Sequence, residues 1–375
     1  MANQHEATPD FERRRERLFR ELRDRKVGNL LVTCPYNVTY LTGFTGEDSF
    51  LFVREDSTFL ISDGRYDEQI SEECPDLELV LRPNTMPIIE AAAKEFRQRA
   101  IGPVWVESMT TSLAQWEKLL ELMPANSCLT SRGAVEKLRE KKDAIELAAI
   151  ERAIDYAQRS FVATCALMHE DQTEKNVADE LEIGIRRQGG AGAAFKTIVG
   201  VGPRAALPHG RPSSMKLGES GFVLIDWGAK ENLYLSDLTR VVITGKVSSK
   251  LEKIYRTVLE AQLAAIAAIR PGVMMSEIDT IARCVIDRAG FGKKFTHGLG
   301  HSFGLQIHET VRLARGQDRP LETDMVLTVE PGIYLPGFGG VRIEDDILVT
   351  KSGHRVLSSL PKDWDAVRNT PNVIT

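Results

Sequence analysis

The sequence predicts two domains: an α/β domain with a mixed sheet over residues 1–131, and a second domain over 132–375 in which one helix-then-hairpin pattern occurs twice. Three observations carry this. A chain of 375 residues exceeds one ordinary core and suits two. From about residue 10 to 130 helical and strand patterns alternate. Beyond that, two amphipathic helical stretches ending at glycine, TEKNVADELEIGIRRQGG and MSEIDTIARCVIDRAGF, each lead to a histidine-bearing segment and then to a carboxylate-bearing hairpin. Gly189 precedes Asp226, and Gly290 precedes Glu330, by similar distances.

In order along the first domain, FERRRERLFRELRDRK places Phe11, Leu18 and Leu22 on one helical stripe. Its basic run Arg13 to Arg15 is flanked by Glu12 and Glu16 and reads as a solvated face, not a nucleic-acid contact. NLLVTC, DSFLFV, STFLIS and LELVLR read as short strands, and PIIEAAAKEFRQR and SLAQWEKLLELM as helices. Near 132–142 the composition changes, and SRGAVEKLREKKDAIEL is expected to open one long helix.

A hydrophobic content of 42% and a charged content of 27% describe a soluble globular chain. A net charge of −5 offers no footprint for nucleic acid. MANQHEATPDFERRRERLF has no apolar core of the signal-peptide kind, and no apolar run spans a bilayer, so the cytoplasm is expected, without a membrane partner. Cys34, Cys74, Cys128, Cys165 and Cys284 are scattered and odd in number, and are expected as reduced core residues.

The chemistry concentrates in the second domain. Asp226 lies in GFVLIDWGA and Asp237 in YLSDLTRVVIT, and a two-residue turn at Glu231-Asn232 would set them directly opposite each other on one face. Glu330 in MVLTVEPGIY and Glu344 in VRIEDDILVT repeat the layout around a turn centred on Gly337. Like charges facing each other across a sheet need something to cancel them. Four such carboxylates with His301, from HGLGHSFGLQIHE, make an oxygen-rich ligand set for two divalent cations. Arg342, two residues before Glu344, shares its face and is placed to offset the cluster's charge.

GPRAALPHG, VLIDWGA, YLSDLTR, GLGHSFGLQIHE, VEPGIY and GVRIED stand in the order seen in the proline-specific metallopeptidases, Xaa-Pro dipeptidase and aminopeptidase P among them, which this chain resembles over roughly residues 195–350. NVTYLTGFTGE…FLISDGRY is similar to the creatinase-type N-terminal domain. The resemblance implies a pita-bread catalytic domain, a curved antiparallel sheet covered by helices with an internal pseudo-twofold repeat. It implies Asp226 as bidentate ligand of one metal, Asp237 and Glu344 as bridging ligands, and His301 and Glu330 as ligands of the second. Mn²⁺ is the expected ion, with Co²⁺ or Zn²⁺ as substitutes.

The same resemblance gives Glu330 the role of proton carrier, His209 and His308 contact with substrate and the transition state, and Arg312 contact with the substrate's carboxylate end. His297 is read as structural, and His5, His169 and His354 as exposed or merely packed. Trp227, Ser302, Phe303 and Val311 depart from the usual pattern and bear on substrate preference. The expected activity is that of an Xaa-Pro aminopeptidase on peptides with proline in second position, in a homodimer. Xaa-Pro dipeptidase is the alternative with the same dinuclear chemistry, and a non-catalytic binding protein on the same fold is the alternative of another class. The unbroken set of five ligands argues against the latter and against creatinase, which uses no metal.

Overall fold

The computed structural model describes residues 9–369, so His5 and the first eight residues lie outside it. The chain divides into two compact units, residues 1–139 and 140–375.

The first unit is built on one six-stranded mixed sheet, from β1 (Asn29–Val32), β2 (Phe50–Arg54), β3 (Ser57–Asp63), β4 (Glu78–Arg82), β5 (Val104–Glu107) and β6 (Cys128–Ser131), in the order β4-β3-β2-β1-β5-β6. The pairs β1/β2 and β2/β3 are antiparallel, and the rest are parallel. Phe52 and Phe59 stack across β2 and β3 at 4.8 Å, with Phe96 of helix Ile88–Gln98 tilted onto Phe52 at 5.2 Å. The helix Phe11–Asp24 buries Leu18 and Leu22 as its periodicity predicts. Its basic run departs from the solvated reading. Arg14 and Arg15 are buried, and donate to the carbonyls of Tyr40 and Leu41 at 3.0 and 3.1 Å. Those carbonyls close the last turn of helix Pro35–Thr42, where helix acceptors lack intrahelical partners and a cation is favoured. Charged hydrogen bonds of this kind contribute about 1.5–3 kcal/mol each.

The single helix expected from residue 132 is two, Ala134–Arg139 and Ala144–Ala166. Asp143 breaks them apart. Its carboxylate accepts from the backbone of Ile145 and Glu146, and the Glu146 side chain returns to the Asp143 amide, which is a capping box.

The second unit carries the repeat. Helices Ala144–Ala166 and Glu174–Arg187 pack on β8 (Ile198–Val201), β9 (Phe222–Trp227) and β12 (Leu238–Ile243), through Ala157, Leu181 and Ile185 against Val199, Ile225 and Leu238. β7 (Gly192–Ala193), β10 (Ala229–Glu231) and β11 (Tyr234–Leu235) form a small sheet at the tip of the first hairpin. Helices Ser249–Ala268 and Met275–Arg288 pack likewise on the second hairpin, through Val258, Ala265 and Ile278 against Leu327, Val329 and Ile347. That hairpin comprises β15 (Val326–Val329) and β18 (Asp345–Thr350), with β16 (Gly332–Leu335) and β17 (Gly339–Arg342) at its tip. Between the helices and this hairpin lie β13 (Gly300–His301) and β14 (Arg312–Leu313), and β19 (Gly353–Val356) pairs with β18. Both glycine stops appear as read, with Gly189 and Gly290 at φ 112° and 86°.

Register differs between the two hairpins. The second pairs Val329 with Asp345 and Gly332 with Arg342, so Glu330 stands in register with Glu344 as expected. The first turns at Asn232-Leu233, one residue later than expected, with Glu231 paired to Tyr234. Both turn residues have positive φ, 42° and 70°, as a type I′ turn demands, and asparagine tolerates that conformation where Glu231 would not. Asp226 therefore faces Thr239 and not Asp237. A shift of two leaves every side chain on its own face.

The cysteine reading holds for Cys34, Cys74 and Cys128, which are buried and free; Cys165 is half-buried and Cys284 exposed. Among the described residues no helix is long and apolar enough to cross a membrane. Replacing Asp143 by alanine removes the cap of the 23-residue helix and is expected to lower stability by about 1 kcal/mol. Urea unfolding reads this as an earlier midpoint, and an unchanged midpoint would show that the cap contributes nothing.

Candidate active site

The ligand candidates sit where the ladders break. Asp237 falls between β11 and β12, Glu330 between β15 and β16, and Glu344 between β17 and β18, while Asp226 is the penultimate residue of β9. Each break frees a backbone amide that is caught elsewhere. The Asp237 amide donates to Asp346 Oδ2 at 3.3 Å, that of Glu344 to the Thr239 carbonyl at 3.2 Å, and that of Glu330 to the Leu299 carbonyl at 2.8 Å. His301 arrives on β13 because its neighbour is glycine. A Cβ at Gly300 would stand 2.0 Å from the Thr328 carbonyl oxygen.

Asp237, His301 and Glu344 bring donor atoms within 4.8 Å of one another, all three buried. His301 Nε2 lies 3.5 Å from both Asp237 Oδ2 and Glu330 Oε1. Asp226 and Glu330 stand at the edge of this trio. Arg342 Nη2 donates to Asp226 Oδ2 at 2.5 Å, and the Thr328 hydroxyl donates to Glu330 Oε1 at 3.3 Å. Arg342 thus does what its parity predicts, and its remaining nitrogens reach Thr239 Oγ1 at 3.0 Å and Tyr334 Oη at 2.8 Å.

Burial first, then the facing Glu344, Asp226 and Glu330, holds Asp237 well above the usual carboxylate range. Glu344 is raised likewise by burial and then by Glu330 and Asp226. Burial raises Asp226, with Arg342 opposing. Glu330 is pushed up to about 8 by burial, against the pull of Arg342. Burial, and then His308, drives His301 down to about 3, so its imidazole is neutral and free to ligate. Asp226 Oδ1 and Glu344 Oε1 are buried without a hydrogen-bond partner among the described residues. Orphaned carboxylate oxygens beside a neutral imidazole, in a cluster whose charges repel, fit a divalent cation.

The cluster floors a cavity of about 750 Å³ that also exposes His209, His297, His308 and Arg312. His308 meets His301 edge to face at 4.4 Å, and β13/β14 pairing sets Arg312 opposite His301. His297 is held by Tyr334 Oη at 2.9 Å and by the Gly298 carbonyl at 2.8 Å, in keeping with a structural role at the cavity wall. His169 is exposed, and His354 is tied to the Ile269 carbonyl at 3.0 Å. The four departures from the usual pattern do not line the cavity. Trp227 lies on the far face of β9, stacks on Phe161 at 4.3 Å and donates to the Ala157 carbonyl, while Ser302, Phe303 and Val311 are buried in packing.

Sequence reasoning missed the supports. Thr239 donates to Glu344 Oε2 at 2.6 Å, and Thr328 Oγ1 accepts from the His301 amide at 3.0 Å. Strand parity would have found Thr239, two residues after Asp237. Behind the site, buried Arg240 donates to the Glu344 carbonyl and to Asp345 Oδ1. Asp345 also accepts from Gln262, Ser358 and Lys362. These residues are far apart in sequence and leave no local signal.

The chain belongs to metallopeptidase family M24, whose model matches residues 148–351, and the Creatinase/Prolidase N-terminal domain matches residues 14–141. It is 36% identical over 338 residues to the uncharacterized peptidase YqhT of Bacillus subtilis, covering 90% of this chain and 95% of that one. Among solved structures it is similar to an Xaa-Pro dipeptidase from Bacillus anthracis, at a TM-score of 0.90 and 36% identity over 94% of this chain and 99% of that one. It is also similar to an X-Pro aminopeptidase from Thermotoga maritima, at 0.83 and 33% over 92% and 99%. The second unit is accordingly a pita-bread domain, and the protein is a metallopeptidase of a family that uses divalent metals.

A pH dependence follows. Glu330 titrates at about 8 in the metal-free fold against about 4.3 unfolded, so between these values the folded chain binds more protons. Above about pH 6.5, where the neutral His301 and His297 no longer oppose it, stability of the metal-free protein therefore falls as pH rises to about 8. Chelator-treated protein is expected to show a falling thermal midpoint across this window, and added Mn²⁺ to raise the midpoint and flatten the slope. A midpoint that rises in metal-free protein would contradict the buried, protonated cluster.

Proposed function

We propose that the protein hydrolyses the peptide bond between an N-terminal residue and a proline, as an Xaa-Pro aminopeptidase with two divalent ions, Mn²⁺ by preference, held by Asp226, Asp237, His301, Glu330 and Glu344. The observation that carries the reading is the convergence of Asp237, His301 and Glu344 at the floor of a cavity that also presents His209 and His308. The similarity to an Xaa-Pro dipeptidase and an X-Pro aminopeptidase supports the choice of bond. When bound, the ions polarise the scissile carbonyl and acidify a water molecule.

The chain's own groups do the rest. The Glu330 carboxylate, ionised when the cations are bound, takes a proton from the attacking water and delivers it to the departing proline nitrogen. His308, kept neutral by burial and by Arg312, and His209 donate to the oxygen on which charge develops. None of these contacts uses an amide hydrogen on the leaving nitrogen, which proline lacks. On this reading Glu330→Gln abolishes turnover, and His308→Ala lowers kcat by about 10²–10³ with the circular dichroism spectrum unchanged. Near wild-type kcat for His308→Ala would reduce that residue to packing.

A dipeptidase reading is favoured by one observation. Arg312 stands across from His301 and lines the same cavity, and on this reading it pairs with the proline carboxylate of a dipeptide. Steady-state kinetics with matched Xaa-Pro and Xaa-Pro-Xaa substrates separate the two. The aminopeptidase reading expects the tripeptide to be cleaved at least as efficiently, and Arg312→Ala to harm the dipeptide more. Cleavage of dipeptides alone would establish the dipeptidase.

A further inference from the structure

We infer that Lys196, Thr197 and Arg211 form a carboxylate-recognition subsite in the wall of the cavity, which reads an anionic group that the peptide carries away from the scissile bond. The inference rests on the peptidase reading of this cavity and adds a specificity that the ligand set does not contain.

All three residues line the cavity. They come from the first repeat, whereas Arg312 comes from the second. Lys196 and Thr197 lead into β8, whose Ile198 pairs with Asp226, whereas Arg312 pairs with His301. The Lys196 and Arg211 side chains are exposed and make no hydrogen bond or ion pair with any described residue. Thr197 is 3% exposed, yet its hydroxyl has no hydrogen-bond partner among the described residues. A buried hydroxyl left unmatched costs about 1–3 kcal/mol, a cost that an acceptor brought by a ligand would relieve.

The charge balance gives the acceptor its sign. Among the described residues the carboxylates lining the cavity are Asp226, Asp237, Glu330 and Glu344, and Arg342 is already paired with Asp226. Once divalent ions neutralise that floor, two uncompensated cations and a free hydroxyl remain on this wall. Such a wall favours an anion with several acceptor positions, as a carboxylate has.

The loop that presents Arg211 is also fixed in place. Fully buried Glu174 accepts from Arg204 Nε at 2.8 Å, from the Ser213 amide at 2.7 Å and from the Ser213 hydroxyl at 2.7 Å. Arg204 Nη2 in turn donates to the Arg211 carbonyl at 2.6 Å. Binding therefore orders one side chain and not a loop, which favours a real subsite over a solvated charge.

The carboxylate has two sources, the C-terminus of a short peptide or an acidic side chain. Mn²⁺-loaded wild type, Thr197→Val and the double variant Lys196→Ala/Arg211→Ala would be assayed with Ala-Pro-Ala, Ala-Pro-Ala amide and Ala-Pro-Glu amide. Wild type should prefer a carboxylate-bearing peptide over the neutral amide by about tenfold in kcat/KM, carried by KM. The preference should vanish in the double variant and shrink in Thr197→Val. Preference for Ala-Pro-Ala alone assigns the C-terminus, and restoration by Ala-Pro-Glu amide assigns a side chain. Lys196→Glu should turn the preference toward Ala-Pro-Lys amide. Equal kcat/KM for the three peptides in wild type, or an unchanged ratio in the double variant, overturns the subsite. Calorimetric binding of Pro-Ala, Pro-Glu amide and Pro-Ala amide separates this from the reading it rests on. Discrimination in binding without Xaa-Pro cleavage retains the subsite and rejects the proposed activity, whereas cleavage without discrimination does the reverse.

Discussion

Four carboxylates taken out of water and set against one another dominate the second unit, because nothing about folding favours putting them there. Each is desolvated, and Asp237 and Glu344 feel the others' charge directly. The fold tolerates the arrangement through specific partners. Arg342 neutralises Asp226, Thr239 occupies one oxygen of Glu344, and Arg240 grips the backbone of Glu344 from behind. What these partners leave unmatched, Asp226 Oδ1 and Glu344 Oε1, is the binding energy available to a cation. A site already strained by like charge gains the most when a counter-ion arrives.

The repeat supplies the geometry. Each half offers a helix pair with an apolar face and a hairpin whose ladder is interrupted at a carboxylate. Interruption is what makes a strand residue useful here. Within a continuous ladder the backbone is spent on pairing, whereas at a break it is held by a neighbour such as Asp346 or Thr239 and the side chain can be aimed. The halves are not equal, since the first carries the bare cations and His209, and the second carries His301, His308 and Arg312.

Much of this was legible in the sequence because the signals are local. Alternation placed the strands, glycine stops ended the helices, and period-two parity put Arg342 on the face of Glu344. The register of the first hairpin was misjudged by two because a type I′ turn depends on which residues accept positive φ, and Leu233 at 70° is a poor guess for any rule. Arg14 and Arg15 looked solvated because their acceptors, the carbonyls of Tyr40 and Leu41, lie 26 residues away. The same holds for the Asp345 network and for the Glu174 clamp on the Arg211 loop, where the partners meet only in the folded chain. The motif departures at Trp227 and Phe303 drew notice because they sit beside ligands in sequence, yet their side chains are spent on packing.

The lock behind Glu344 has a consequence for the order in which the enzyme comes into being. Arg240 and Asp345 are closed over by Ser358, Leu360 and Lys362, close to the end of the described chain. During synthesis both hairpins leave the ribosome before those residues do. The nascent chain therefore holds its carboxylates on strands that lack this backing until residues 358–362 have emerged as well.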